Sequence, residues 1–205
     1  MNEITVEENN FDYFVEWGSK SWKKLLYHSI YKSYGEKNFN NRKLLDIGCR
    51  YGRTSVLFAL LGAHVMGIDT NSAVIEKAKL EALKNNVKNR TKFLAYDGDL
   101  DIFPDNSFDI IFTKSVLVVV DELELFLTKI NRKLKSEGKV IFLENGYGNK
   151  FIHFFRRFRH KKWDYTKCNF FNEKDINIFK ATFNIIELRK NFYPPIWFIY
   201  GGKRY

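Results

Sequence analysis

The chain contains few cysteines and few prolines. Its 205 residues include 2 Cys and 3 Pro, and its 12 Gly are too few for a collagen-like or linker-dominated sequence. Cys49 and Cys168 cannot build a disulfide framework or a thiolate zinc cluster, so we expect a reducing compartment and no metal site. Hydrophobic residues make up 45% of the chain, which excludes an intrinsically disordered protein. This length and composition predict a single domain, 1–205.

Long hydrophobic runs are also lacking. A membrane-spanning helix needs about 18 consecutive apolar residues, and the best candidate, 110–120, is interrupted by Lys114. The first ten residues, MNEITVEENN, have neither the positively charged region nor the apolar region of a secretory signal. The expected location is therefore the cytoplasm.

Acidic residues are scarce in the last quarter of the chain. Residues 1–149 hold 21 Lys and Arg against 20 Asp and Glu, whereas residues 150–205 hold 13 against 4. The formal charge of +10 thus belongs almost entirely to the C-terminal part. We expect an anionic partner to meet the protein there.

Short apolar runs alternate with amphipathic patterns from residue 42 onward. The predicted strands are 43–47, 64–68, 91–95, 108–113, 139–143, 183–188 and 196–200. The predicted helices are 53–61, one that begins at Ser72, 121–134, and 173–182 with Asn172 as its cap. Strands separated by such helices imply right-handed crossovers and a parallel sheet covered on both faces. The pattern predicts a doubly wound α/β fold preceded by a helical segment, 1–41.

A glycine-rich turn follows the first predicted strand. Asp46-Ile47-Gly48-Cys49-Arg50-Tyr51-Gly52 leads into a helix, a place where a ligand can approach the backbone and the helix N-terminus. Asp69, at the end of the second strand, has the spacing at which a carboxylate reaches ribose hydroxyls. These features fit a dinucleotide as well as an adenosyl ligand, although Arg50 crowds the approach that a pyrophosphate requires.

Two later segments resemble those of class I S-adenosylmethionine-dependent methyltransferases. The run DGDLDIFPDNSFD (97–109) is similar to the family's acidic triplet, Leu-Pro-Phe, and Asp-Gly-Ser-Phe-Asp at the fourth strand. The run RKLKSEGKV (132–140) is similar to its Arg-x-Leu-Lys-Pro-Gly-Gly segment. The resemblance covers residues 42–145 and is closest to the small-molecule branch with a type 11-like domain. It implies a Rossmann-like seven-stranded sheet, mostly parallel with an antiparallel last strand.

The resemblance also implies a cofactor site for S-adenosylmethionine, whose product is S-adenosylhomocysteine. The turn from Gly48 to Gly52 would cradle the methionine part, with Asp46 near its amino group. Asp69 would accept hydrogen bonds from the ribose, and Asp97 would accept one from the adenine amino group. The implied site residues are Asp46, Gly48, Cys49, Arg50, Tyr51, Gly52, Asp69, Thr70, Asp97, Gly98, Asp99, Lys114 and Ser115.

This chain departs from the family pattern at the glycine turn and after the fourth strand. Arg50 replaces the middle glycine, a change that an adenosyl ligand without pyrophosphate tolerates. The histidine that many relatives carry after the fourth strand is absent, and so is the Asn-Pro-Pro-Tyr pattern of amide and base N-methyltransferases. The best-placed candidates for a general base are Glu144 and then His153. Their alternative roles are a strand-end or helix-cap partner for Glu144 and an ordinary surface histidine for His153.

The segment 150–163 is basic and aromatic. It contains six Lys and Arg, no acid, and phenylalanines spaced to lie on one helical face. It is interpreted as a helix packed on the domain or folded over the acceptor pocket. Alternatives are contact with an acidic acceptor, peripheral attachment to anionic lipid, or RNA binding, which the nearly neutral remainder of the chain disfavours. The aromatic run 11–19 resembles the lead-in that covers the cofactor in many relatives, and the alternative is an aromatic helix packed on the sheet.

The resulting hypothesis is a methyltransferase that acts at oxygen or nitrogen of a small or carrier-linked acceptor, with an anionic acceptor as one option. An RNA-directed or lipid-directed enzyme, a nicotinamide-dependent oxidoreductase and a catalytically silent interaction module are the alternatives. We divide the chain into a lead-in or lid (1–41), a cofactor-binding core (42–145), a basic aromatic insertion (146–171), and a C-terminal helix with two strands (172–205). The oligomeric state is not predicted.

Overall fold

The computed structural model describes residues 30, 34–147, 168–191 and 195–205. Within them, seven strands form one sheet in the order β3-β2-β1-β4-β5-β7-β6. The strands are β1 (Lys43–Ile47), β2 (His64–Asp69), β3 (Thr91–Ala95), β4 (Phe108–Lys114), β5 (Leu134–Asn145), β6 (Phe183–Asn191) and β7 (Ile196–Lys203). Neighbours from β3 to β5 pair in parallel, and β7 is antiparallel to both β5 and β6. The mostly parallel sheet with an antiparallel last strand is therefore confirmed.

Four α-helices flank the described part of the sheet. They are α1 (Arg53–Leu60), α2 (Ser72–Lys84), α3 (Leu123–Lys133) and α4 (Asp175–Thr182). Gly62, with φ 95°, follows α1 in the left-handed conformation that favours glycine at a helix end. Asn71 caps α2 by accepting the Ala73 N–H at 3.0 Å.

Two hydrophobic clusters lie on opposite faces of the sheet. One contains Val56 of α1 and Ala82 of α2, and the other contains Leu127 of α3 and Phe179 of α4. Successive strand residues alternate between the clusters, because side chains alternate across a sheet. The central strands are apolar on both faces for this reason, and helices cover both faces as predicted.

The strand order places β1 and β4 side by side, although the chain proceeds from β1 to β2 and β3 in one direction and from β4 to β5 in the other. This reversal opens a crevice at the carboxyl ends of the central strands, where open α/β sheets bind their ligands. The predicted glycine turn and the ends of β2, β3 and β4 all lie at this edge.

Some boundaries differ from the sequence predictions. The fifth strand begins at Leu134, directly after α3, because Leu134 already pairs with Phe108 before an irregularity in the register. The last helix begins at Asp175 rather than 173, and Asn172 Oδ1 instead accepts the Lys174 N–H in the turn that precedes it. Most of the predicted N-terminal helical segment, with its aromatic run 11–19, lies outside the described residues, as does the basic segment 150–163.

None of the helices in the described ranges is both long enough and apolar enough to span a membrane.

Candidate cofactor site

The glycine turn after β1 has a left-handed backbone at three positions. Gly48, Arg50 and Gly52 have φ values of 72°, 49° and 76°. The N–H groups of Gly48 and Cys49 both donate to the Ile68 carbonyl, at 2.8 and 3.0 Å, which ties the turn to β2. A Cβ on Gly48 would lie 2.3 Å from Val116 Cγ2, so glycine is required there by packing as well as by φ.

Asp69 connects the end of β2 to this turn. Its Oδ2 accepts the Arg50 N–H at 3.0 Å, and its Oδ1 accepts the Asn71 N–H at 2.9 Å. Each carboxylate oxygen can accept two hydrogen bonds, and the described residues supply one donor to each, which leaves capacity for one more. Asp69 thus presents two oriented acceptors beside the glycine turn.

Asp46 is almost completely buried on β1, where the residue is 2% exposed. Its Oδ2 accepts a hydrogen bond of 2.5 Å from Ser55 Oγ of α1. Burial raises the pKa of Asp46 to about 7, while the Ser55 hydrogen bond and the Lys114 charge act in the opposite direction. Sequence reasoning found Asp46 but missed Ser55, which only the packing of α1 on the sheet brings to it.

Tyr96 and Gly98 follow β3 at the same edge. The Tyr96 N–H donates to the Asp69 carbonyl at 3.2 Å. Burial raises the pKa of the Tyr96 hydroxyl to about 12, and the nearby charges of Asp69, Cys49 and Asp97 add to the effect. Gly98, with φ 103°, has none of the described residues beyond its chain neighbours within 4 Å of where a Cβ would stand, so its side is open with respect to them. Tyr96 was missed because nothing in its sequence context distinguishes it from a core aromatic residue.

The acidic residues after Gly98 form ion pairs with α3. Asp99 Oδ1 lies 2.6 Å from Lys129 Nζ, and both Asp101 and Asp105 lie 2.8 Å from Lys133 Nζ. Hydrogen bonds from Lys133 and Lys129 lower the pKa of Asp101 to about 2. These carboxylates join the loop to the helix, and the predicted cofactor residue Asp99 takes part in that network.

The turn after β4 faces the glycine turn. Ser115, with φ 58°, donates its N–H to the Leu143 carbonyl at 2.9 Å and accepts from Asn145 Nδ2 at 3.0 Å. Lys114 is half-buried on the face that carries Asp46, whose pKa its charge lowers. Thr70 is exposed beyond β2. The guanidinium carbon of Arg50 and Nζ of Lys77 lie 5.5 and 5.2 Å from the centre of the Tyr51 ring.

Glu144, one of the two base candidates, is completely buried at the end of β5. Its Oε1 accepts from Thr113 Oγ1 at 2.7 Å and from the Val116 N–H at 3.2 Å. Burial raises the pKa of Glu144 to about 7. The other candidate, His153, lies outside the described residues.

The ends of the predicted insertion are joined at this edge. Gly146 and Phe171 form a parallel bridge, and the Tyr147 N–H donates to the Phe171 carbonyl at 2.7 Å. The Asn169 N–H donates to the Val118 carbonyl at 2.6 Å. The chain therefore leaves and rejoins the sheet beside the turn after β4.

Comparison with known proteins agrees with this geometry. Residues 45–142 match a family model described as a methyltransferase domain. A ubiquinone biosynthesis O-methyltransferase of Pelagibacter ubique is 35% identical over 103 residues, which cover 50% of this chain and 42% of that protein. A sterol 24-C-methyltransferase of Gibberella zeae is 30% identical over 122 residues, which cover 59% of this chain and 32% of that protein. The chain thus spans less than half the length of these relatives.

Solved structures share the fold over a larger part of the chain. A structure described as a SAM-dependent methyltransferase of Methanosarcina mazei has a TM-score of 0.68 at 23% identity and covers 84% of this chain and 97% of that one. At 23% identity, this structural match supports the fold alone. The match to the family model concerns the sequence of residues 45–142. Residues 45–142 thus match a methyltransferase domain, and the described chain shares the fold of a structure described as a SAM-dependent methyltransferase.

Proposed function

We propose that the protein transfers a methyl group from S-adenosylmethionine to oxygen or nitrogen of a small or carrier-linked acceptor. The observation that carries the proposal is the contact between Asp69 and the glycine turn. The Arg50 N–H orients the carboxylate at 3.0 Å, and both carboxylate oxygens keep an acceptor site. The acceptors for two ribose hydroxyls and the bend that admits the methionine part therefore share one crevice.

The residues around this crevice fit S-adenosylmethionine. The open side of Gly98 leaves room for the adenine, and the exposed Asp97 stands next to it. The buried Asp46 is suited to an ammonium group, because a nearby cation favours the charged form that burial opposes. When bound, the cofactor supplies an electrophilic methyl group on a sulfonium with a neutral leaving group.

The work left to the protein is orientation of the two reactants and exclusion of water. Holding reactants in line can lower a barrier by about 7–11 kcal/mol. Hydrogen bonds tie the glycine turn to Ile68 and Asp69, and the turn after β4 is tied to β5 and packs on Gly48, which suits this task. No histidine base is required for such a reaction when the acceptor is readily deprotonated.

The acceptor is proposed to be small and anionic. The two relatives named above are described as O- and C-methyltransferases, so family membership alone does not fix the acceptor atom. Support for an anionic acceptor comes from the excess of 13 Lys and Arg over 4 acids in residues 150–205. The insertion that holds many of these cations begins and ends beside the crevice.

A screen with isotopically labelled methyl donor, in which acceptors are ordered by charge, tests this proposal. We expect incorporation of label into small carboxylate-bearing or phosphate-bearing acceptors. When Arg156, Arg157 and Arg159 are changed together to Ser, a higher acceptor concentration should be needed to saturate the reaction. Cofactor affinity should not change in that variant. A chain that binds no cofactor would instead be a silent interaction module, and selective label transfer to RNA or to lipid vesicles would favour those alternatives.

A further inference from the structure

The turn after β4 forms one wall of the glycine turn. If Gly48 had a Cβ, that atom would lie 2.3 Å from Val116 Cγ2, so the two turns are in direct contact. A shift of Val116 would therefore move or loosen the backbone that cradles the cofactor. What holds Val116 in place becomes a functional question.

Glu144 lies directly beneath this wall. Its Oε1 receives the Thr113 hydroxyl at 2.7 Å and the Val116 N–H at 3.2 Å. The backbone N–H groups of Leu117 and Val118 also lower the pKa of Glu144, against the larger effect of burial. The carboxylate thus holds the N–H of Val116, the residue that precedes the Leu117–Val119 3₁₀ turn.

The same burial separates Glu144 from the acceptor. Its side chain is 0% exposed, and Oε1 is engaged by two donors. Among the described residues, Oε2 has no hydrogen-bond partner and is sealed from solvent. A general base has to come within about 2.6–3.2 Å of the proton that it removes, directly or through one water.

We propose that Glu144 is a positioning residue that fixes Val116, and through Val116 the cofactor cradle, rather than a base that receives the acceptor's proton. The inference depends on the proposed function for its consequence in methyl transfer. The hydrogen-bonded arrangement itself does not depend on it. The essential property of Glu144 is then an acceptor oxygen at the right distance from β5, and negative charge is secondary.

Two conservative substitutions separate the two roles in the full-length chain. Glu144→Gln keeps the length and an acceptor oxygen but has no carboxylate, whereas Glu144→Asp keeps the carboxylate but is one methylene too short to reach the Val116 N–H. A positioning role predicts that the Gln variant binds S-adenosylhomocysteine within about threefold of wild type and still turns over. The Asp variant should bind it about tenfold more weakly. Glu137→Gln, on the exposed start of the same strand, is the matched control and should match wild type.

A double-mutant cycle tests whether the effect passes through Val116. If it does, Val116→Ala and Glu144→Asp each raise the dissociation constant of S-adenosylhomocysteine. The double variant should raise it clearly less than the two single fold-changes multiplied together, since the effects of coupled residues are not additive. Amide hydrogen exchange of the peptide that contains residues 115–119 should accelerate in Glu144→Asp and not in Glu144→Gln.

Several outcomes would overturn the inference. They are loss of turnover in Glu144→Gln with retention in Glu144→Asp, strictly multiplicative effects in the cycle, or unchanged exchange in every variant. If the wild-type chain fails to bind S-adenosylhomocysteine, the proposed function is wrong. In that case the exchange experiment still decides whether Glu144 holds the turn.

Discussion

Substitution of Gly48 by Ala perturbs the joint between the two turns most directly. The added Cβ would enter at φ 72°, where a left-handed backbone costs an L-residue about 1–2 kcal/mol. It would also lie 2.3 Å from Val116 Cγ2, and overpacking of this kind costs about 1–3 kcal/mol. The free energy of unfolding should therefore fall by about 2–5 kcal/mol, provided that the two terms add.

Gly98→Ala is the matched control for this prediction. Gly98 also has a positive φ, 103°, but in the part of the chain that the structure describes no residue beyond its neighbours comes within 4 Å of its Cβ position, so we expect only the backbone term. Urea denaturation with comparison of midpoints and slopes measures both variants. Adding Val116→Ala to Gly48→Ala should recover most of the packing term. If Gly48→Ala is no less stable than Gly98→Ala, the contact between the two turns does not constrain the fold as described.

Three further predictions concern carboxylates and a lysine. Asp69→Ala should weaken S-adenosylhomocysteine binding by about 1–3 kcal/mol, the scale of lost charge-assisted hydrogen bonds, and an unchanged dissociation constant in calorimetry would remove Asp69 from the site. Burial raises the pKa values of Asp46 and Glu144 to about 7 in the folded state, so both favour folding at low pH and this contribution disappears as the pH rises toward 7 and above. When the pH rises from 5 to 8, each of these two carboxyl groups should lower the free energy of unfolding by about 2–3 kcal/mol. In Glu144→Gln the contribution of Glu144 to this pH dependence should be absent. A pH profile of stability parallel to that of wild type would contradict the prediction. Lys133 has a side chain that is 2% exposed and pairs with two aspartates, whereas the Lys135 side chain is 39% exposed. Lys133→Met should therefore lower the melting temperature more than Lys135→Met. Equal shifts would show that the ion pairs of Lys133 have no special structural role.

The fold could be predicted because its signals are local. Apolar runs of five or six residues between helical patterns fix the central strands, and Gly62 marks the end of α1. The early start of β5 could not be predicted, since 134–138 lacks an apolar pattern and becomes strand through pairing with β4. Asn172 is a residue type that often caps helices, but its side chain accepts the Lys174 N–H in the turn before α4.

The position of a candidate residue could be predicted where its strand end is clear from the sequence. Asp69 is such a case, since its contact with the Arg50 N–H puts it beside the glycine turn, while its role in cofactor binding stays a prediction. Roles that depend on contact between distant segments could not be predicted. The sequence alone marks Val116 as an ordinary apolar residue, and only the fold shows its contact with Gly48. Glu144 is likewise buried in the fold, where it pairs with Trp197 of β7 and accepts the Val116 N–H.

The central claim is that the crevice between the glycine turn and Asp69 binds the adenosyl cofactor. A crystal structure of the full-length protein grown with S-adenosylhomocysteine tests it most directly. The account predicts ribose hydroxyls on both oxygens of Asp69, adenine against the open side of Gly98, and the amino acid part over Gly48. A crevice without ligand, or one filled by the Arg50 side chain, would contradict it.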